Sequence, residues 1–233
     1  DLVAVEEIQD NDGVAGGTGS AVVDASVTWN TLIDAITAAG GPTYQYRQID
    51  PADGDHDGGA PGGNIRQGFL FRTDRGLSFV DRPGGTPTAA TTVTRDPAGR
   101  PHLSFSPGRI DPTSAAWTDS RKPLAGEFRW RGRTIFVIAN HFVSKGGDDP
   151  LYGRFQPIQQ PSQVQRVQQA TEVRDFVDQI VAADRNANVV VLGDLNDFDF
   201  SAPIDTLTST GHLVDLPRTL PIQERYTYVF EGN

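Results

Sequence analysis

The apolar residues of the chain recur with helical spacing in some segments and with strand spacing in others. Along residues 162–183 and 27–39 they lie three and four positions apart, which predicts two amphipathic helices, with Ser162 as the N-cap of the longer one. Residues 189–192 are four apolar residues in a row, which is typical of a strand buried on both faces. Further predicted elements are strands at 1–8, 44–49, 64–72 and 226–230, a hairpin of 124–130 with 134–139, and a helix at 202–209. Because helices and strands alternate, the pattern predicts a mixed α and β fold.

The composition narrows the class of protein. The chain has 233 residues and no visible linker, so we predict a single domain over residues 1–233. The net charge of -10 argues against tight, sequence-independent binding of duplex nucleic acid, which usually requires a basic surface. Cysteine is absent, which excludes disulfides and thiolate zinc sites, and none of the four histidines is at ligand spacing from another. No apolar run approaches the ~18 residues that a membrane span requires.

Polar residues stand directly after three of the predicted strands. Glu7 follows the apolar residues 2–5 of the first strand, His141 follows the second strand of the hairpin, and Asp194 and Asn196 follow the apolar run at 189–192. Ligand-binding residues of α/β sheets cluster at strand ends. Any one of these residues alone is most simply a solvated turn residue, but together they favour a shared site.

The residue types of this shared site suit phosphate chemistry. Glu7 and Asp194 offer hard oxygen ligands for Mg²⁺, Mn²⁺ or Ca²⁺. Asn196 can orient a phosphoryl oxygen and a water, and His141 can donate to a phosphoryl oxygen or exchange a proton near neutral pH. A divalent ion beside them would polarise a phosphoryl group. The pattern therefore predicts metal-assisted hydrolysis of a phosphate ester.

The same motifs resemble those of the endonuclease/exonuclease/phosphatase superfamily. The strand ending in Glu7 resembles the superfamily strand whose glutamate binds the metal, and the Asn-His-Phe at His141 resembles its phosphate-contacting histidine motif. In the Gly-Asp-Leu-Asn segment, the resemblance implies that Asp194 positions the nucleophilic water and that Asn196 contacts phosphate. The Arg-Lys-Pro that begins at Arg121 resembles a segment near the scissile phosphate. Glu6 stands where many members carry glutamine.

A closer resemblance is to the bacterial extracellular nucleases of this superfamily. It rests on four further segments, at 64–69, 141–147, 165–170 and 225–232. It implies an α+β fold, a four-layer α/β/β/α sandwich in which two mixed β-sheets pack face to face with helices outside. It also implies a secreted, monomeric, metal-dependent nuclease acting on DNA, with RNA as a further substrate. Lys145 is either a second phosphate contact or a surface charge.

The resemblance breaks off at both ends of the chain. Superfamily members begin with an earlier strand whose asparagine helps to hold the metal, and they end with Leu-Asp-His-like and Ser-Asp-His motifs. The sequence begins after the first and ends before the others, at Asn233. We therefore expect a domain truncated at both ends, with little activity of its own. Two alternatives stay open: a phosphatase or phospholipid phosphodiesterase on the same scaffold, and a catalytically inactive binding or surface module.

The acidic loop at residues 53–58 matches the first half of an EF-hand loop. The twelfth position is Asn64 and not the bidentate glutamate, and no helices are predicted on either side. We therefore reject an EF-hand and expect a solvated acidic loop, with a weak calcium site as the alternative.

Overall fold

The computed structural model of the chain describes residues 1–226, which form four α-helices and ten β-strands. The helices are α1 (Gly13–Gly16), α2 (Ser26–Ala38), α3 (Pro161–Ala183) and α4 (Ala202–Thr208). The strands are β1 (Leu2–Ile8), β2 (Gln45–Gln48), β3 (Arg66–Phe71), β4 (Leu77–Phe79), β5 (Val93–Arg95), β6 (Pro101–Leu103), β7 (Gly108–Arg109), β8 (Leu124–Trp130), β9 (Arg133–His141) and β10 (Asn188–Asp194).

Two sheets carry the architecture. The first has the order β1-β3-β2 and is antiparallel throughout. The second has the order β10-β9-β8-β4, with β7 also pairing with β8, and only its β10–β9 pair is parallel. A separate ribbon joins β5 to β6. The parallel pair places the C-terminal ends of β9 and β10 at one edge of the second sheet.

The alternation of side chains along the central strands builds the layers. On β9, Val137 and Ala139 pack with the phenylalanines of β3, whereas Phe136 and Ile138 pack with α3. Successive residues of a strand point to opposite faces, so one face of β9 meets the other sheet and the other face meets a helix. On β3, Leu70 packs against Trp29 of α2. The result is an α/β/β/α sandwich, which confirms the predicted fold class.

Phenylalanine rings fill the space between the two sheets. Phe128 on β8 meets Phe69, Phe71 and Phe79 edge to face, with ring centroids 5.4, 5.6 and 4.9 Å away. Edge-to-face pairs of this kind stabilise a core by about 0.5–1.5 kcal/mol each beyond the burial of their area. This cluster fixes the sheets against each other and so fixes the relative positions of the strand ends.

The predicted elements are largely confirmed, with two corrections in α3. The helix begins at Pro161, whose fixed φ suits the first helical position, so Ser162 lies in the first turn and is not the N-cap. Val164, one of the apolar residues whose spacing predicts the amphipathic helix at 162–183, is 66% exposed, whereas Val173, Phe176 and Ile180 of the same pattern are buried. The strand predicted at 226–230 lies outside the described residues except for Tyr226, which is exposed.

The prediction that residues 189–192 form a strand buried on both faces is wrong. Within residues 1–226, β10 is the outermost strand of its sheet, and Val190 is 44% exposed. The first sheet also ends in an exposed strand, since β1 is its outermost member and Val3 is 43% exposed. No helix in residues 1–226 combines the length and the apolar character needed to cross a membrane.

Candidate active site

Three strand ends meet at one edge of the sandwich. In the parallel pair, His141 at the end of β9 lies opposite Asp194 at the end of β10. The His141 Nε2 atom is 3.9 Å from Asp194 Oδ2 and 3.8 Å from Glu7 Oε1, which comes from the other sheet. The His141 side chain is buried, whereas the two carboxylates are more than half exposed. The edge therefore combines a buried imidazole with accessible carboxylate oxygen atoms beside it.

Asn196 and Arg121 join this group through one backbone carbonyl. The Phe142 oxygen accepts hydrogen bonds from Asn196 Nδ2 at 2.9 Å and from an Arg121 terminal nitrogen at 2.6 Å. The Asn196 backbone N–H also donates to Asp194 Oδ1 at 2.8 Å, which fixes that carboxylate. Five of the six residues predicted from the sequence thus lie together, while their catalytic roles stay predictions.

Two of these residues have a left-handed backbone. Glu7 has φ 59° and Asn196 has φ 49°, a region that residues other than glycine rarely occupy. At Glu7 the register of β1 against β3 shifts, which turns consecutive side chains of β1 into new directions. Such conformations persist where the surroundings enforce them, and they cluster at functional sites.

Lys145, the sixth predicted residue, lies to one side of the group. Its ammonium is 3.2 Å from Asp197 Oδ1 and 3.5 Å from the centre of the Phe198 ring. The side chain remains about one third exposed. The charge of Lys145 therefore already has an anionic partner, and the two interpretations of this residue both stay open.

His141 is neutral at physiological pH. Burial lowers its pKa to about 4, and the Arg121 guanidinium acts in the same direction, while Asp194 opposes them. The Nδ1 atom is buried and has no hydrogen-bond partner among the described residues. A neutral imidazole with so low a pKa is a poor proton acceptor, so its useful role is to donate one N–H.

This low pKa predicts a pH dependence of stability. The unfolded chain has an ordinary histidine pKa of about 6.5, so it binds a proton that folded His141 excludes. The stabilisation is complete above about pH 6.5 and is lost as the pH falls toward 4. Between pH 7.5 and pH 5 we expect urea unfolding to show that the parent loses about 2 kcal/mol of stability relative to the His141→Gln variant. Equal losses in the two proteins would contradict this origin.

Glu6 is a member of the site that sequence reasoning did not select. Burial and the nearby charges of Asp194 and Glu7 together raise its pKa to about 7. Its Oε1 atom is buried without a hydrogen-bond partner in residues 1–226. In the sequence, the Glu6-Glu7 pair at the end of the first strand is the signal that could have indicated this residue. The role of Glu6 depends on Asp194, however, which is distant in the sequence. The site thus concentrates more negative charge than its own cations neutralise.

The carboxylate oxygens of the site suit a divalent cation that keeps some of its coordination positions open for other ligands. No three His, Asp or Glu side chains of the described chain are placed to enclose a metal ion by themselves. Magnesium commonly uses one or two carboxylates, with waters and substrate phosphate as the other ligands. Glu7 and Asp194 supply such carboxylates, and the unpartnered oxygen of Glu6 adds to the local demand for positive charge.

The acidic loop at residues 53–58 is held by internal contacts of two of its carboxylates. Asp55 accepts from the Gly62 N–H at 2.7 Å and the Asn64 N–H at 3.1 Å. Asp57 is buried between Arg109 at 2.9 Å and Lys122 at 2.8 Å. The acidic loop is therefore not the solvated segment that we expected, because two of its carboxylates are committed to closing it.

Comparisons with known proteins agree with this architecture. Residues 111–211 match the model of an Endonuclease/Exonuclease/phosphatase family. The human Nocturnin catalytic domain with bound sulfate has a TM-score of 0.54 at 10% identity, covering 99% of this chain and 64% of that one. The chain thus spans less than two thirds of that domain. A comparison with curated proteins finds no match.

Two further solved structures are similar at lower scores. Truncated TDP2 from Caenorhabditis elegans is 16% identical with a TM-score of 0.41, over 85% of this chain and 50% of that one. An endonuclease/exonuclease/phosphatase family protein from Bacteroides thetaiotaomicron is 13% identical with a TM-score of 0.40, over 91% and 70%. Of the three structures, the Nocturnin domain alone is similar enough to establish a shared fold.

Proposed function

We propose that the chain is part of a divalent-metal-dependent phosphodiester hydrolase that cleaves nucleic acid, with DNA as the main substrate. The match of residues 111–211 to the model of an Endonuclease/Exonuclease/phosphatase family and the fold shared with the Nocturnin domain support this proposal. The observation that carries the proposal is the convergence of Glu7, His141 and Asp194 at one edge of the sandwich, joined by Asn196 and Arg121. Carboxylates, an imidazole, an amide and a guanidinium at one edge match the needs of a phosphoryl group.

The donors of the site suit the oxygens of a phosphodiester. Arg121 keeps its charge and is buried, and its Nε atom lacks a partner among the described residues. Asn196 uses one amide N–H on the Phe142 oxygen, which leaves the second for substrate. The buried, neutral imidazole of His141 adds one further N–H donor. Donors that are fixed before substrate arrives stabilise developing charge without reorganisation.

Asp194 is the group that orients the attacking water. Its Oδ1 atom accepts a hydrogen bond from the Asn196 N–H, while its Oδ2 atom lies 3.9 Å from His141 Nε2. A carboxylate fixed on one oxygen presents the other in a constant direction, which is what positioning a nucleophile requires. Glu7, whose Oε1 atom is 3.8 Å from His141 Nε2, would be the main metal ligand. A bound Mg²⁺, Mn²⁺ or Ca²⁺ would supply Lewis acidity at the phosphoryl oxygen.

The test is hydrolysis by the full-length protein. We expect cleavage of plasmid DNA and of oligonucleotides that requires a divalent ion and stops with EDTA, and no comparable turnover of phospholipid or sugar phosphates. Preferred turnover of those esters would favour the phosphatase or lipid phosphodiesterase alternative. No hydrolysis of any phosphate ester would favour the inactive module. Export and a monomeric state are part of the proposal and are tested by assaying culture medium and by sedimentation.

A further inference from the structure

An aromatic ledge follows the candidate active site along the chain. Phe198 and Phe200, two and four residues after Asn196, stack with ring centroids 5.1 Å apart and planes 2° from parallel. Phe200 is 62% exposed, which is unusual for so large an apolar ring. We call these two rings the ledge.

The ledge is anchored rigidly to the site. Asp197, between Asn196 and Phe198, is buried and binds the Arg166 guanidinium at 2.8 Å. Arg166 is fully buried on α3 and also binds Asp148 at 3.1 Å, so it ties the ledge to the loop after β9. A stacking surface held in this way loses little conformational freedom when a ligand arrives.

Positive charge accompanies the rings. The Lys145 ammonium lies 3.5 Å above the Phe198 ring centre, and Arg154 lies over Phe155 on the loop that Asp148 anchors. Neighbouring carboxylates are neutralised: Arg166 pairs with Asp148 and Asp197, and Arg225 lies 3.7 Å from Asp199. Although the chain has a net charge of -10, the surface around the ledge can therefore accept the phosphates of a nucleic-acid strand.

We propose that the ledge binds an unpaired nucleobase next to the scissile phosphate, with Lys145 near the adjoining phosphate. This inference rests on the proposed function, which it refines by making single strands or frayed ends the preferred substrate. A base inside a duplex has both faces covered by its neighbours, whereas an unpaired base has a free face for an aromatic ring. Exposed aromatic rings beside cations are the usual means of binding single strands.

Binding without catalysis tests the ledge. The probes are a fluorescein-labelled single-stranded oligodeoxynucleotide, the same strand with abasic residues, and its duplex, measured by anisotropy in EDTA with the full-length protein. We expect the intact single strand to bind most tightly, and Phe200→Ala to weaken it about ten-fold. Binding of the abasic strand should not change, and Phe200→Trp should retain the affinity for the intact strand.

Trp130→Ala is the matched control. Trp130 is also a partly exposed aromatic residue under an arginine, but it lies at the hairpin turn, at the opposite end of β9 from His141. Three outcomes would contradict base binding by the ledge: equal binding of the intact and abasic strands, no binding of either strand, or an unchanged affinity in Phe200→Ala. A ledge that docks a protein predicts these outcomes. If the protein binds single strands in a base-dependent way but hydrolyses no phosphodiester, base binding by the ledge is supported and the proposed function is contradicted.

Discussion

Replacing Asp194 with asparagine should lower the kcat for DNA hydrolysis by about 10³-fold in the full-length protein, since a carboxylate that orients the nucleophile typically contributes on this order. The amide keeps the shape of the side chain and an oxygen that can accept from the Asn196 N–H. The change removes the charge that faces His141 and Glu6. Steady-state kinetics with saturating Mg²⁺ measure the effect, and we expect KM to change much less than kcat.

The stability of the same variant separates chemistry from folding. Asp194 raises the pKa of Glu6, so its neutralisation relieves a repulsion, and the variant should unfold no more easily than the parent above pH 7. Asp178→Asn is the control, because Asp178 is paired with His212 at 2.7 Å on the surface. A kcat within ten-fold of the parent for Asp194→Asn would remove Asp194 from the mechanism.

Gly193→Ala should destabilise the fold by about 4 kcal/mol or more, which is exceptional for one added methyl group. Gly193 lies opposite Asn140 in the parallel pair and has φ 122°, which side chains rarely tolerate. A Cβ atom there would lie 2.0 Å from the Asn140 backbone oxygen. Neither strand can move away without breaking the pairing that holds His141 opposite Asp194. Urea unfolding, or loss of soluble protein, measures the result.

Gly132→Ala provides the comparison for this effect. Gly132 has φ 77° in the hairpin turn, and an added Cβ would meet no atom within 4 Å. Its cost is the backbone conformation alone, about 1–2 kcal/mol. Similar losses in the two variants would mean that the close approach of β9 to β10 adds nothing, and would contradict the clash.

Local patterns predicted the parts of the fold that depend on local interactions. The helix at residues 162–183 and the hairpin around Arg131 and Gly132 follow from apolar spacing and from turn chemistry. The Gly-Asp-Leu-Asn segment carried enough chemistry to indicate the site. The sequence does not reveal pairing partners, however, so an apolar run like that of β10 suggested burial on both faces, whereas it is an outer strand in residues 1–226.

Residues that act through distant partners escaped prediction for the same reason. Arg166 lies on a helix and is of a residue type that is usually exposed. Its guanidinium is nevertheless buried between Asp148 and Asp197. Burial and the Asp194 carboxylate at the end of β10 raise the pKa of Glu6. In both cases the property belongs to a contact between segments far apart in the chain.

Within residues 1–226, β10 is the outermost strand of its sheet, which has a consequence for handling the protein. From Asn188 to Gly193 it carries no charged side chain, and β-branched residues occupy its centre. An uncharged strand edge of this kind is a template on which another copy can add its own strand, a first step toward amorphous or fibrillar aggregates. A lysine at Val190 would introduce the gatekeeping charge that natural edges use, and concentrated solutions should then stay clear for longer.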